Sequence, residues 1–187
     1  MTTEGHYAND DGIMRMISQI VTFTDAAMKS ITGCVDAWIP QSGRNFVTVI
    51  AIRKRYPGWG KMAIYQAFSI PFVASASNCV IIVDEDIDPS NLDEVIWAIG
   101  TRVDPINDII TTPHIGVYPL NPAAVNRPTI YEPTGCTDIS YCSKMGIDAT
   151  LKLPGENRNS RSNVSAVRPE KNVMDQVKEK WHQYGFK

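Results

Sequence analysis

Residues 79–83, CVIIV, constrain the fold of this chain more than any other stretch. Five apolar residues are too few for a helix, and their β-branched character favours a strand that is buried on both faces. A group of acidic residues ends the strand, and Ser90 with Asp93 has the S-x-x-D spacing of a capping box. One apolar helical face follows: Leu92, Val95, Ile96 and Ile99. The stretch therefore predicts a buried strand, an acidic turn and a capped helix, which is half of an α/β unit.

The preceding segments supply neighbours for this strand. Residues 46–52, FVTVIAI, predict a second strand, and residues 61–69 have a helical apolar pattern that Pro71 is expected to end. The order strand, loop, helix, strand predicts a right-handed crossover with a parallel pair of strands. Residues 35–39 predict a short strand that forms a hairpin with residues 46–52.

The remaining segments are less regular. The apolar spacing over 13–31 predicts helices, with Asp25 beginning a second helix and Gly33 stopping it. Beyond the helix that ends near Arg102, residues 106–111 and 115–118 predict two short strands. Prolines and glycines then recur, so residues 121–146 predict a long irregular loop.

The chain divides into four predicted segments. They are a disordered tail at 1–12, an α/β domain at 13–153, a linker at 154–169 and a C-terminal helix at 170–187. The last helix has no core of its own and is expected to dock on another surface. The predicted fold class is α/β, with a small, largely parallel sheet flanked by helices, a long irregular loop and this C-terminal docking helix.

Composition excludes several classes of protein. A net charge of −2 argues against a general nucleic-acid binder. No window approaches the roughly 20 apolar residues that span a bilayer, and the polar start MTTEGHYANDDG does not resemble a signal peptide. The four cysteines form no C-x-x-C pair. These features predict a reduced, cytoplasmic protein without structural zinc.

Asp84 and Asp86 are the first candidates for a functional site. A strand that ends on carboxylates also occurs in P-loop nucleotidases, but the glycine–lysine run at 58–62 lacks the P-loop spacing. The D-x-D spacing suits a metal-dependent glycosyltransferase, in which paired carboxylates hold a divalent cation. The simpler alternative is that the acidic side chains solvate the turn and favour the start of the following helix. Residue type favours this simpler alternative.

Lys144 is the second candidate. It lies in SKMGIDAT (143–150), at the end of the predicted loop, where a lysine can bind a phosphate or be exposed to solvent. Residue type alone favours exposure. The three histidines have no neighbours at ligand spacing, and there is no G-x-S-x-G motif. The residues therefore predict a fold and no complete catalytic set.

Four segments together resemble a known family. FVTVIAIRKRYPGWGKMA, VIIVDEDIDPSNLDEVIWAIGTRVDP, PLNP at 119–122 and SKMGIDAT occur in this order. Over roughly residues 39–154 the chain resembles the C-terminal domain of the UbiD family of decarboxylases, which includes the 3-octaprenyl-4-hydroxybenzoate and ferulate enzymes. The second and the last segments are the most specific part of the resemblance.

The resemblance implies chemistry on prenylated FMN, bound with a divalent metal (Mn or Mg) and potassium. Such enzymes remove or add CO₂ on aromatic or unsaturated acids, and the cofactor acts as the electron sink. The family's catalytic arginine, acidic residues and metal ligands lie in domains without a counterpart here, so no catalytic or metal-binding residue is expected in this chain. Lys144 alone is carried over, as a contact near the cofactor phosphate or a neighbouring subunit. The alternative role is a structural lysine at a domain junction.

The resemblance therefore implies a small subunit that is not active alone. The expected partner is a larger UbiD-like catalytic chain that carries the cofactor and its metals, in a hetero-oligomer that can also self-associate. Neither nucleic acid nor a membrane is expected as a partner. The alternatives are a non-catalytic scaffold subunit and a metal-dependent transferase that uses Asp84 and Asp86.

Overall fold

The structure, a computed structural model, describes residues 10–117, 121–128, 138–156 and 169–184. Within these ranges the strands are β1 (Cys34–Trp38), β2 (Val47–Ile52), β3 (Cys79–Asp84), β4 (Ile109–Gly116), β5 (Val125–Pro128) and β6 (Asp138–Asp148). The helices are α1 (Asp10–Ser30), α2 (Trp59–Ser69), α3 (Pro71–Ala76), α4 (Leu92–Arg102) and α5 (Lys171–Glu179), with 3-10 turns at Gln41–Phe46 and Trp181–Tyr184.

All the described strands belong to one sheet of order β1-β2-β3-β6-β4, with β5 also pairing with β6. The central strands β2, β3 and β6 are parallel, and the other pairings are antiparallel. The predicted hairpin of β1 and β2 and the predicted parallel pair of β2 and β3 are both confirmed. The α/β fold class, with a parallel central part flanked by helices, is confirmed with them.

Strand β3 is buried on both faces, as its apolar run predicts. Val80 and Ile82 pack in the core layer formed with α1, α2 and α3. Ile81 and Val83 pack in a second layer with α4. Burial of a Val or Ile side chain contributes roughly 1.5–3 kcal/mol. The two central strands β2 and β3 therefore anchor both layers and fix the positions of the strand ends.

Two glycines let α2 lie close to β6. A Cβ atom on Gly146 would overlap the side chain of Ile64, and a Cβ atom on Gly60 would overlap the Asp148 carboxylate. Any larger residue at either position must push the helix away from the sheet. The carboxyl end of β6 and the start of α2 are therefore held in direct contact.

Helix α1 is continuous, so the prediction of two helices was wrong. Asp25 lies inside the helix and pairs with Lys29 at 2.7 Å rather than starting a new helix. Thr22 donates its hydroxyl to the Ser18 carbonyl one turn back, which satisfies the polar side chain within the helix. Gly33 follows the helix with a positive φ of 78°, the left-handed conformation expected after a helix end. The helix begins at Asp10, inside the predicted tail, and residues 1–9 lie outside the described residues.

The cap of α4 also differs from the prediction. Asn91 is the N-cap, and its side chain accepts a hydrogen bond from the Asp93 N–H at 3.2 Å. Ser90 instead donates its hydroxyl to Asp88 at 2.7 Å, so it does not form the predicted capping box. The buried face of the helix carries Val95, Ala98 and Arg102, whereas Ile96 is 63% exposed.

The region after α4 is more regular than predicted. One strand, β4, replaces the two short strands, because Pro113 lies on the sheet edge, where a missing N–H is tolerated. A register shift between Thr112 and Ile115 accommodates it. Most of the described part of the predicted loop forms β5 and β6, so that prediction was wrong there; residues 129–137 lie outside the described residues.

Two further findings concern helices. Helix α2 ends at Ser69, as predicted from Pro71, and Pro71 itself begins α3, since proline fits the first position of a helix. The predicted C-terminal helix is present as α5, and its apolar residues Val173 and Met174 are 45% and 39% exposed. None of the helices in the described ranges has both the length and the apolar character that a membrane crossing requires.

Candidate functional site

Lys144 lies in the middle of β6 and is buried, with 1% of its surface exposed. The expectation of an exposed loop lysine is therefore wrong. Strand β3 flanks β6 on one side and β4 on the other, and Thr112 of β4 lies directly opposite Lys144. The ammonium donates a hydrogen bond of 2.6 Å to the carbonyl of Ser77, the residue that ends α3. A cation at a helix C-terminus is favourable, so this contact has a structural role.

The charge of Lys144 is not balanced by an acid. Among the described residues, no carboxylate forms an ion pair with its ammonium, although other buried lysines have such partners. Burial lowers the pKa of Lys144, and the neighbouring Cys142 sulfur acts in the opposite direction. An ammonium has three donor hydrogens, and the Ser77 carbonyl uses one of them. Lys144 therefore retains hydrogens that can be donated to an anion.

A set of polar groups lies at the amino end of β3, beside the strand that carries Lys144. Asn78 and Asn121 exchange amide hydrogen bonds of 3.1 and 2.5 Å, and the Cys142 thiol donates to Asn78 at 3.2 Å. Asn78 immediately precedes β3, and its carbonyl accepts the Met145 N–H. This amide pair holds the amino end of β3 next to β6.

Two hydroxyls near this region have no hydrogen-bond partner. They are the buried Oγ1 atoms of Thr48 and Thr112, the only such side-chain atoms among the described residues. Thr112 faces Lys144 across the ladder, and Thr48 is in the row of Val80 and Gly146 on the same face of the sheet. A buried hydroxyl without a partner costs roughly 1–3 kcal/mol. The Thr112 hydroxyl and the Lys144 ammonium are therefore two buried polar groups with unused hydrogen-bonding capacity on the same face of the sheet.

The acidic turn after β3 is closed by an arginine. Arg102 donates two hydrogen bonds to the Asp86 carboxylate, at 3.0 and 2.6 Å, and lies 3.5 Å from Asp84. Asp84 also accepts a hydrogen bond from the Leu151 N–H. Burial raises the pKa of Asp84 to about 6, although the Leu151 N–H and Arg102 lower it in part. The predicted D-x-D pair is therefore bridged by a guanidinium at the position that a metal would need.

A second ionic group holds the carboxyl ends of the parallel strands together. Lys152 lies 3.2 Å from Asp108 and 3.5 Å from Asp148, and Lys54 lies 2.5 Å from Glu156. These side chains are mostly buried, and each cation has its own acid. In the described part of the chain, no group of three or more His, Cys, Asp or Glu residues could hold a metal. The carboxyl edge is therefore a structural ionic network.

The site at Lys144 was only partly foreseeable. The SKMGIDAT segment drew attention to the lysine, but Thr112, Asn78 and Asn121 carry no signal in their residue types or spacing. They meet because β4, the start of β3 and the chain before β5 converge on β6. Arg102 was missed as the partner of the acidic turn, although a basic residue in the last turn of a helix is common.

Known proteins resemble this chain over most of its length. A phenolic acid decarboxylase of Escherichia coli O157:H7 is 33% identical over 124 residues, which cover 66% of this chain and 24% of that protein. The vanillic acid decarboxylase of Sedimentibacter hydroxybenzoicus, ShVdcCD in open form, is 26% identical with a TM-score of 0.65, covering 89% of this chain and 33% of that one.

A third similar protein shares the fold alone at 22% identity. It is the UbiD-class enzyme HmfF of Pelotomaculum thermopropionicum in complex with FMN, with a TM-score of 0.62 over 89% of this chain and 33% of that one. This chain therefore spans a third or less of the length of the proteins it resembles.

The family model of the 3-octaprenyl-4-hydroxybenzoate carboxy-lyase C-terminal domain matches residues 13–149, well over half of the chain. The matched range contains the parallel strands, the acidic turn and Lys144. The chain belongs to the UbiD family through its C-terminal domain.

Proposed function

We propose that this chain is a small subunit of a UbiD-class decarboxylase or carboxylase that acts on an aromatic or unsaturated acid. Membership of the family supports the reaction class, and the names of the phenolic acid and vanillic acid decarboxylases support the substrate class. The subunit completes or assembles a larger catalytic chain in the cytoplasm. ShVdcCD, which includes a ShVdcD component, supports an assembly of more than one chain.

The buried pair of Lys144 and Thr112 is the observation that carries this proposal. The ammonium has hydrogens to donate, and the Thr112 hydroxyl lacks a partner, so both fit a phosphate oxygen. HmfF has been described with FMN and, in an evolved dimeric form, with prenylated FMN. We assign Lys144 as the contact of this chain to the phosphate side of prenylated FMN held by the partner, which requires that association with the partner exposes this side chain, since only 1% of its surface is accessible in the isolated chain. The chemistry supplied there is that of an electron sink during loss or gain of CO₂.

This chain's own contribution is positioning. In this proposal Lys144 positions the anionic group of the cofactor. The Asn78–Asn121 pair supports the role by holding the amino end of β3 next to β6. We assign the divalent metal and potassium to the partner chain. Asp84 and Asp86, the pair considered for a metal-dependent transferase, already share Arg102.

Co-purification tests the proposal. The native chain is isolated with an affinity tag, and the proteins retained with it are identified by mass spectrometry. The expected result is a larger UbiD-like chain in a fixed ratio, with decarboxylase activity on aromatic acids only when both chains are present. Activity of the isolated chain with prenylated FMN and no partner would disprove the subunit role.

A second candidate is a non-catalytic scaffold subunit. The exposed apolar residues of α5 favour it, because an unpartnered helix suits assembly better than chemistry. The two candidates differ in one result. Replacement of Lys144 by Met lowers the activity of the complex if the chain contacts the cofactor, and leaves it unchanged if the chain is a scaffold only.

A further inference from the structure

A cleft of about 250 Å³ opens at the carboxyl end of β2, on the edge formed with β1. Its lining combines a charged side and an apolar side: Thr32, Gly33, Cys34, Val35, Arg53, Arg55 and Trp59. The volume lies just below the usual range of small-molecule sites, roughly 300–1,000 Å³. The cleft can therefore accommodate only a small molecule.

The charged side of the cleft is formed by two arginines. The Nε atom of Arg53 donates to Glu85 at 2.7 Å, which leaves its two terminal nitrogens available. Arg55 makes no hydrogen bond or ion pair with any of the described residues. Guanidinium groups bind carboxylates through two parallel hydrogen bonds. Two such groups in one cleft favour an anion between them.

The apolar side is rigid. Trp59 is buried, and its indole N–H donates to the Thr32 carbonyl at 2.7 Å, which fixes the ring. Burial and, to a lesser extent, the nearby Asp36 carboxylate raise the pKa of Cys34 to about 11, so its thiol is neutral at pH 7 and adds no charge. An apolar wall of this kind contacts a hydrocarbon body better than a bare inorganic ion.

The local charge also distinguishes between anions. Glu85 pairs with Arg53, and the Asp36 carboxylate acts on Cys34 of the lining. Carboxylates therefore lie near the cations of the cleft, and Arg55 is the cation without an ion pair to any described residue. The start of α2 adds little, since Glu156 accepts the Gly58 N–H and the Asp148 carboxylate lies against Gly60. A cleft whose two cations are partly offset by carboxylates suits a monoanion better than a dianionic phosphate.

We propose that this cleft binds a small organic monocarboxylate, with its carboxylate on Arg55 and Arg53 and its apolar body against Trp59. The proposal goes beyond the proposed function, because it assigns a ligand to a part of the chain that the decarboxylase role does not use. A carboxylate of about the size of benzoate suits the volume.

Equilibrium dialysis of the full chain, with any partner that co-purifies, tests the proposal with benzoate as the probe. We expect benzoate to bind and the neutral analogue benzamide not to bind. Replacement of Arg55 by Gln is expected to weaken binding at least fivefold, and Glu85→Gln to strengthen it about twofold by releasing Arg53. Lys29→Gln is the matched control, because it removes an equally exposed cation outside the cleft.

Three results would overturn the proposal. One is equal affinity for benzamide and benzoate, which would remove the carboxylate from the recognition. Another is equal loss of affinity in the Arg55 and Lys29 variants, which would indicate non-specific charge attraction. The third is displacement of benzoate by inorganic phosphate at lower concentration, which would identify a site for inorganic anions. Circular dichroism of each variant confirms that the fold is kept.

Discussion

At the scale of single residues, two buried lysines differ in how their charge is balanced. Lys152 lies within 3.5 Å of both Asp108 and Asp148, so it completes an ionic network. Lys144 is also buried, and among the described residues its ammonium bonds only to the Ser77 carbonyl. An unbalanced buried charge lowers stability unless a ligand or a partner supplies the opposite charge. The difference is consistent with the binding role proposed for Lys144.

Methionine substitutions at these two lysines should therefore change the free energy of unfolding by very different amounts. Lys152→Met leaves two buried carboxylates without their cation and is expected to lower the free energy of unfolding by about 3–5 kcal/mol. Lys144→Met loses one hydrogen bond but relieves an unbalanced charge, so the change is expected to stay within about 1 kcal/mol. Urea unfolding measures both. Equal destabilisation by the two substitutions would show that Lys144 is structural.

Asp84 should make stability depend on pH. Its pKa is raised to about 6 in the folded chain, above the ordinary value of 3.8. Between about pH 4 and 6 the folded state therefore binds more protons than the unfolded state, and this contribution to stability falls as the pH rises. Asp84→Asn removes it. Relative to this variant, the wild type should lose about 2–3 kcal/mol of unfolding free energy from pH 4 to pH 7. Parallel pH profiles of the two proteins would contradict the assignment.

At the scale of elements, the contact of α2 with β6 depends on glycine. Gly146→Ala places a Cβ atom in the side chain of Ile64 and is expected to cost about 1–3 kcal/mol. Gly100→Ala is the matched control, because Gly100 lies in α4 with open space around it and should gain about 0.5–1 kcal/mol. Thermal unfolding shows whether each substitution lowers or raises the stability of the domain. A stabilising Gly146→Ala would mean that α2 and β6 are not in close contact.

The start of α4 gives a second prediction for an element. Asn91→Ala removes the side chain that accepts the Asp93 N–H and is expected to cost about 1 kcal/mol. Ser90→Ala removes only the bond to Asp88 in the turn and should cost less than half as much. Chemical denaturation of the two variants measures which substitution lowers the free energy of unfolding more. If Ser90→Ala were more destabilising than Asn91→Ala, Ser90 would be the N-cap instead.

At the scale of the whole molecule, α5 should contribute to assembly and not to the stability of the domain. Its residues from Lys171 onward carry exposed apolar side chains, and α5 has no extensive packing against the sheet. Deletion of residues 170–187 is expected to leave the unfolding temperature within about 2 °C of the wild type. The same deletion should weaken binding of the partner at least tenfold in size-exclusion chromatography. A large drop in the unfolding temperature would instead place α5 in the core.

The sequence predicted the elements whose buried face is apolar. Strands β2 and β3, the helices after them and their parallel pairing follow from such runs. Strand β6 was missed because its pattern is inverted. Its buried face carries polar or small residues: Ser140, Cys142, Lys144, Gly146 and Asp148. Hydrophobic alternation therefore assigns the wrong face, and only the tertiary partners of those side chains explain their burial.

The site was harder to predict than the fold for a related reason. Lys144 becomes a candidate through its burial and through the unpaired Thr112 hydroxyl, and both result from how β4 and β6 pair. No spacing along the chain encodes that pairing. The acidic turn was given a simple alternative, solvation of the turn and the start of the next helix, but Asp86 instead pairs with Arg102 sixteen residues away, which was not foreseen.

The order of strands in the sheet has a consequence for folding during synthesis. Strand β6 lies between β3 and β4, although β4 precedes it in the chain. At about 5–20 residues per second, the ribosome completes β6 several seconds after β3 has emerged. Throughout that interval the apolar edge of β3 lacks a neighbour, and β4 has no strand to pair with. Chains released before residue 148 should therefore aggregate or be degraded more readily than any full-length point variant.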